Sequence, residues 1–454
     1  MPHSSIVHDL RSAHSADALL TGVPLPTLLY FALPIILGNI FQQLYSIVDA
    51  IVVGNFLGDL PLSGISVASP IVDVANALVI GGTIGVGVLC AHYYGAGEGE
   101  RLRCMNATAL LGGGALTLLI ALCGIFFSTP LLRAQGTEEA VCREAAVYLQ
   151  LVFAGLLFCF LYNYYAAMLR SCGNSRTPFL ILLLSSTLHA LLDVLFVGVF
   201  GWGIRGVAFS TVLCQALAAA ACILYAQRRC PPLLLRPANL RFDRQMARLV
   251  LSYAWAAALQ QAVVCIGRLL VQGMLTPLGT STVTGYNMSL RTEQFLFCFS
   301  QGISAAMVVC LSQNLGHGDR PRARRFFRIS VLVELALIAL LGTVCFLFPA
   351  RIVGLFSDNA DVIAAGAQYT GAMAYLYVFA YLGEVIQGFF RGLGRLRLTM
   401  VASLLQVLLR VVLSYLLIPV WGMYGICAAV VSGWVLLVGI EGAYAVRKSS
   451  ALAA

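Results

Sequence analysis

Twelve stretches of this chain run for about 20 residues or more with few or no charges, each long enough to cross roughly 30 Å of hydrocarbon as a helix. They fall near 27–53, 62–92, 107–129, 145–169, 178–200, 205–226, 248–275, 282–311, 328–349, 363–390, 397–418 and 422–446. In hydrocarbon every backbone N–H and C=O needs an internal partner, so runs of this length imply helices. Of the 454 residues, 60% are hydrophobic and 10% are charged. Water-soluble domains hold about 25% charge and 45–50% apolar residues. The expected fold is therefore an all-α integral membrane protein of twelve transmembrane helices, with the lipid bilayer as its surroundings.

The connecting segments alternate in charge. One set carries Arg101 and Arg103, then Arg170 and Arg176, then five arginines between Arg228 and Arg244. The same set continues with five between Arg320 and Arg328, then Arg391, Arg395 and Arg397, and ends on Arg447 and Lys448. The other set holds only Arg133, Arg143, Arg205 and Arg351. The positive-inside rule puts the first set and both termini in the cytoplasm, and an odd number of spans would destroy the alternation. The net charge of +9 thus reports topology and gives no support to a nucleic-acid partner. Residues 1–23 are polar, with His3, His8 and His14, and lack the short apolar core of a removable signal; a solvated tail is expected rather than a metal site. Most of the 14 cysteines lie inside apolar runs without paired metal-ligand spacing, so they read as small buried hydrophobes, with no metal and no cofactor.

The two halves repeat. AHYYGAGEGERLR (Ala91–Arg103) lines up with SQNLGHGDRPRAR (Ser312–Arg324), an offset of 221 residues. LRSCGNSR (Leu169–Arg176) meets FRGLGRLR (Phe390–Arg397) at the same offset, pairing Arg170 with Arg391 and Gly173 with Gly394. GWGIRGVA (Gly201–Ala208) resembles VWGMYGIC (Val420–Cys427). Each half has six spans, an even number, so both enter the membrane the same way round, related by a pseudo-two-fold axis along the membrane normal. The expected organisation is a cytoplasmic tail (1–23), an N-lobe (24–227), a cytoplasmic linker (228–247), a C-lobe (248–447) and a tail (448–454). A cavity between two such lobes is the usual place for a solute, and rocking of the halves gives alternating access.

Buried charge is distributed unevenly. The first half holds Asp49, Asp73 and Asp193 with no intramembrane Arg or Lys; the second holds Arg268, Arg291 and Arg410 beside Glu293, Glu334 and Glu384. Mixed signs permit pairing, whereas a lone carboxylate in low dielectric keeps a proton or captures a cation. At 1.5 Å per residue, Asp49 lies about 30 Å along span one, Asp193 about 22 Å along span five and Thr211 about 9 Å into span six. These counts put all three in the outer half of the bilayer. His189, four residues before Asp193, shares its helix face. Spans one, five and six are therefore expected to surround one polar pocket. Gln42, Tyr45, Tyr162, Asn163 and Tyr165 offer amides and aromatic faces to a cation, and Asp73, Arg291 and Glu293 are further cavity candidates. Arg291 and Glu293, two apart, must point to different faces of their helix. The glycine-rich GGTIGVG (Gly81–Gly87) has no preceding strand or P-loop lysine and reads as close helix packing.

LPIILGNIFQQLYSIVDAIVVGNFLG, the YGAGEGERLR and LRSCGNSRTP loops and their second-half counterparts resemble the multidrug and toxic compound extrusion (MATE) family, nearest its DinF-like and MepA-like bacterial branch. The resemblance runs from about Pro24 to Arg447. It implies a two-lobed, twelve-helix exporter of cationic or amphipathic organic compounds in the bacterial plasma membrane, working as a monomer in exchange for protons or sodium. It also implies that Asp49, Asp193 and Thr211 line a cation or proton pocket. His189 stands where the family usually has Asn. An imidazole accepts a proton near neutral pH and, once charged, repels sodium, which favours the proton as the coupling ion. In the expected cycle, ionised Asp49 and Asp193 hold the substrate, and protonation from outside expels it. A lipid-linked oligosaccharide flippase is the alternative, kept open by Arg268, Arg291 and Arg410. No HExxH, no GxSxG and no repeated selectivity filter is present, so neither an enzyme nor a channel is expected.

Overall fold

The computed structural model describes residues 18–234, 242–275 and 278–447. The twelve runs become helices, most of them longer than the apolar run because the polar ends continue the backbone ladder. In chain order these are α1 (Pro24–Phe56), α2 (Asp59–Gly95), α3 (Gly99–Ala134), α4 (Glu139–Ser171), α5 (Arg176–Asp193) and α6 (Ile204–Arg229). The second half supplies α7 (Arg244–Gly273), α8 (Thr280–His317), α9 (Arg320–Leu347), a broken α10 (Ala360–Met373 and Tyr377–Gly392), α11 (Leu396–Trp421) and α12 (Met423–Arg447). Among the described residues eleven helices are long and apolar enough to span a membrane, counting α5 together with the turn to Val199, and the two parts of α10, bent by 57°, meet the same test when taken together.

That bend is the main departure from the simple count of spans. No Pro or Gly lies between Met373 and Tyr377. The ladder tightens there instead, with Val378 N–H donating to the Tyr375 carbonyl at 3.1 Å and Phe379 N–H to that of Leu376 at 3.2 Å. Gly342 of α9 makes room: a Cβ there would lie 2.8 Å from the Ala374 carbonyl oxygen.

The chain divides into two compact units, Leu37–Ala262 with Gly316–Gly318, and Met1–Ile36 with Val263–Leu315 and Asp319–Ala454. The changeovers fall inside α1 and α7 rather than in the segment after α6. Within the first unit α4 packs along α2, α3 and α6, and α5 packs on α6. Its core gathers Met105, Leu149, Phe160, Tyr164 and Met168. Within the second, α11 packs on α12, and the Tyr377–Gly392 part of α10 on α9 and α12. Tyr286, Tyr369, Tyr377, Tyr381 and Trp434 dominate that core. The internal repeat is visible in the backbone. Gly203 and Gly422, matching positions before α6 and α12, adopt φ 59°, ψ −142° and φ 55°, ψ −126°. L side chains avoid this region, so both repeats keep glycine there.

Gly81 and Gly85 of α2 face the backbone of α7 within the first unit. A Cβ on Gly81 would sit 2.6 Å from the Ala257 carbonyl oxygen and 2.7 Å from Ala258 Cα, whereas Gly82 has nothing within 4 Å. Gly81→Leu is expected to cost about 1–3 kcal/mol or more through overpacking, and Gly82→Leu to be neutral. Thermal unfolding of the two variants in detergent checks this; equal midpoints would mean that α2 and α7 do not meet closely at Gly81.

Candidate functional site

The best-defined polar site of the first unit lies where α5 meets α6. The Arg176–Asp193 segment is apolar enough to be helical throughout, and its four-residue spacing places His189 directly beneath Asp193. His189 Nδ1 stands 2.7 Å from Asp193 Oδ2. Its other ring nitrogen, Nε2, stands 2.9 Å from Thr211 Oγ1 on α6. Ser210, next to Thr211, hydrogen-bonds Asp193 Oδ1 through its hydroxyl. Both hydroxyls also reach the Val207 carbonyl, at 2.8 Å from Ser210 and 2.9 Å from Thr211. Asp193 and Ser210 are fully buried and His189 is 4% exposed, so water does not compete for these groups.

Local structure holds the two helices in register. Ser185 Oγ donates to the Cys214 carbonyl at 3.1 Å. Directly after Asp193 the chain widens into a π-helical turn, Val194–Val199, a feature concentrated at functional sites. Phe196 in that turn stacks on Trp202, with centroids 4.9 Å apart and planes 8° off parallel, and packs against Phe209 of α6 at 5.5 Å. These rings pack the α5–α6 connection against α6.

Proton counting shows what the network can do. With a neutral imidazole donating from Nδ1 to Asp193, the single Thr211 hydroxyl proton must choose between Nε2 and the Val207 carbonyl. With an imidazolium, both ring nitrogens donate, to Asp193 and to Thr211 Oγ1, and the Thr211 proton turns to Val207. One proton can therefore enter or leave with a hydroxyl rotation and no displacement of a heavy atom.

The structure thus brings His189, Asp193 and Thr211 together and adds Ser210, which sequence reasoning missed. Its only sequence signal is the paired hydroxyls of Ser210-Thr211 early in α6. Asp49 and Tyr45 lie on the helical backbone of α1, but their side chains are outside those described. Gln42 and Asp73 are exposed. Asn163 turns back on its own helix, donating to the Cys159 carbonyl at 2.9 Å. Tyr165 is buried in the unit's core, edge-on to Tyr164 at 5.5 Å.

In the second unit Arg291 is exposed while Glu293 is buried, on opposite faces of α8 as their spacing requires. Tyr369 and Tyr377 hydroxyls donate to Glu293 Oε2 at 3.4 and 3.3 Å, one from each part of the broken α10. Arg410 and Arg268 are the cations whose field reaches this carboxylate.

An all-helical chain of twelve spans in two repeated halves, with ionisable networks inside the spans, is a polytopic membrane transporter. The chain belongs to the MatE family, whose model matches residues 34–195 and 256–416. It is 27% identical over 387 residues to the "Probable multidrug resistance protein YpnP" of Bacillus subtilis, covering 85% of this chain and 86% of that protein. It is 26% identical over 346 residues to a "FAD transporter" of Shewanella oneidensis, covering 74% and 75% of the two chains. Its fold also matches an outward-facing multidrug resistance MATE family transporter of the MOP superfamily, with TM-score 0.87 and 18% identity over 96% of this chain and 98% of that one.

Proposed function

We propose that this chain is a secondary-active exporter that exchanges protons for cationic or amphipathic organic compounds by alternating access. It works as a monomer in the bacterial plasma membrane with both termini cytoplasmic. The observation that carries the proton reading is the buried His189–Asp193–Ser210–Thr211 network, which takes up or gives back one proton by a hydroxyl rotation. Asp193 Oδ1 accepts from the Ser210 hydroxyl, and Oδ2 stands 2.7 Å from His189 Nδ1. A sodium ion would have to displace these donors, while a proton would not. Asp49 is assigned to the same exchange from its place on span one. The substrate class follows the relatives named for multidrug resistance.

For transport to be driven, the proton affinity of the network must differ between inward-open and outward-open states. Proteoliposomes given a proton gradient or a sodium gradient separately test the reading, with a fluorescent lipophilic cation as cargo and FAD as the anionic control. The proton gradient alone is expected to drive the cation, and His189→Asn is expected to weaken that drive at least tenfold while admitting sodium. Sodium-driven transport by the native protein would overturn the choice of ion. Transport of FAD in place of the cation would overturn the substrate class.

A further inference from the structure

The second unit contains a separate group of buried acids. Glu384 and Arg391, seven residues apart on α10, form an ion pair of 3.2 Å. Arg391 also donates to Ser304 Oγ of α8 at 3.3 Å, and Ser304 Oγ donates to the Glu384 backbone carbonyl at 2.9 Å. Two further carboxylates approach from α9 and α12. Glu334 lies within the field of Glu384 and beside Ser300 of α8, without a closed hydrogen bond. Glu441 lies within the fields of both Arg391 and Glu384. Tyr381 of α10 lies within the field of Glu334 and donates its hydroxyl to the Leu296 carbonyl at 2.7 Å. Glu334 and Glu441 are each 0% exposed. Among the described residues, neither oxygen of either carboxylate has a hydrogen-bond partner.

Charge balance defines the chemistry. Arg391 neutralises Glu384, so ionising both remaining acids would leave two uncompensated negative charges in a medium where each costs several kcal/mol. Each must hold a proton or a cation. An alkali cation needs a cage of several oxygens, whereas a proton needs only its own carboxyl.

The repeat shows that the fold does not demand these acids. At the 221-residue offset Arg391 corresponds to Arg170, Glu384 to Asn163 and Glu334 to Gly113. In the register of Gly203 and Gly422, Glu441 corresponds to Cys222. Cys222 lies in the field of Arg170 as Glu441 lies in that of Arg391. At the corresponding positions the first half therefore carries an amide, a glycine and a thiol.

We propose that Glu334 and Glu441, gathered around the Glu384–Arg391 pair, form a second proton-holding site, which exchanges with the membrane face where α9 begins and α10 and α12 end. Under the topology proposed above that face is cytoplasmic, and the site receives or releases protons there when Arg391 changes carboxylate partner. The inference rests on the ion-exchange reading only for the direction of proton movement.

Infrared spectroscopy of the purified full-length protein in lipid at neutral pH tests it through the C=O stretch of protonated carboxyls. Glu334→Gln and Glu441→Gln are each expected to remove one component of that band, and Asp193→Asn to leave both in place. Carboxyl-13C glutamate in the native protein is expected to shift the same components, which tests the proposal even if a variant fails to fold. A band that no glutamate label shifts, or that survives intact in both folded Gln variants, would overturn it. Loss of the components on adding sodium or potassium at constant pH would also overturn it, by identifying a cation site. Because this readout is not transport, its failure and that of the exporter reading are separable.

Discussion

Asp193→Asn is expected to lower proton-driven efflux roughly tenfold to a hundredfold while leaving the protein folded. The amide fits the space of the carboxylate: its oxygen accepts from Ser210, and its NH2 group donates to His189 Nδ1 once the imidazole proton moves to Nε2, where Thr211 Oγ1 receives it. The local hydrogen bonds survive, so the stability cost should be about 1 kcal/mol or less. What disappears is the charge that the imidazolium and Ser210 stabilise. Hydrogen bonds to a charged group contribute about 1.5–3 kcal/mol each, so losing them from one state of the cycle lowers proton-driven flux roughly tenfold to a hundredfold. Asp193→Leu should instead strand His189 and Ser210 and cost about 3 kcal/mol or more in folding. Flux in proteoliposomes and thermal unfolding in detergent separate the two outcomes. A folded Asp193→Asn protein with native proton-driven flux would remove Asp193 from the mechanism.

The largest loss of stability is expected in the second unit, from Glu293→Ala. This carboxylate ties the two parts of α10 to α8 through Tyr369 and Tyr377. Tyr286 of α8 meets Tyr369 edge-on at 5.1 Å and 86°, so the ring cluster depends on the same anchor. Alanine leaves two buried hydroxyls unpaired and removes the negative charge facing Arg410 and Arg268. Breaking a buried charge network of this kind costs about 3–5 kcal/mol. Glu293→Gln retains an acceptor for a tyrosine and should cost less. A detergent melting curve in which Glu293→Ala unfolds with the native protein would show that the bend in α10 is held by other contacts.

The twelve spans were legible because oil imposes length: about 20 apolar residues are required whatever the packing. The break in α10 was not, because Met373–Tyr377 contains no helix breaker; the bend depends on room at Gly342 and on tyrosines reaching a glutamate on another helix. His189 and Asp193 could be paired from their spacing alone, since i and i+4 share a helix face. Ser210 could not, because a hydroxyl in a span is equally at home on its own backbone, as Ser46 shows by donating to the Gln42 carbonyl at 3.0 Å. Residue type alone could not place Tyr165 and Asn163, whose chemistry suits a cation; the fold sets Tyr165 in the core of the first unit and turns Asn163 back on its own helix. Glu441 was overlooked beside the basic end of α12, where a charge is ordinary. Only the fold places it against Arg391 and Glu384.

The most direct test of the central claim is the number of protons released when a lipophilic cation is added to purified protein in weakly buffered detergent. If the buried His189–Asp193 network exchanges its proton for substrate, the native protein should acidify the medium and Asp193→Asn should lose that release. Equal release by the two proteins would contradict the account.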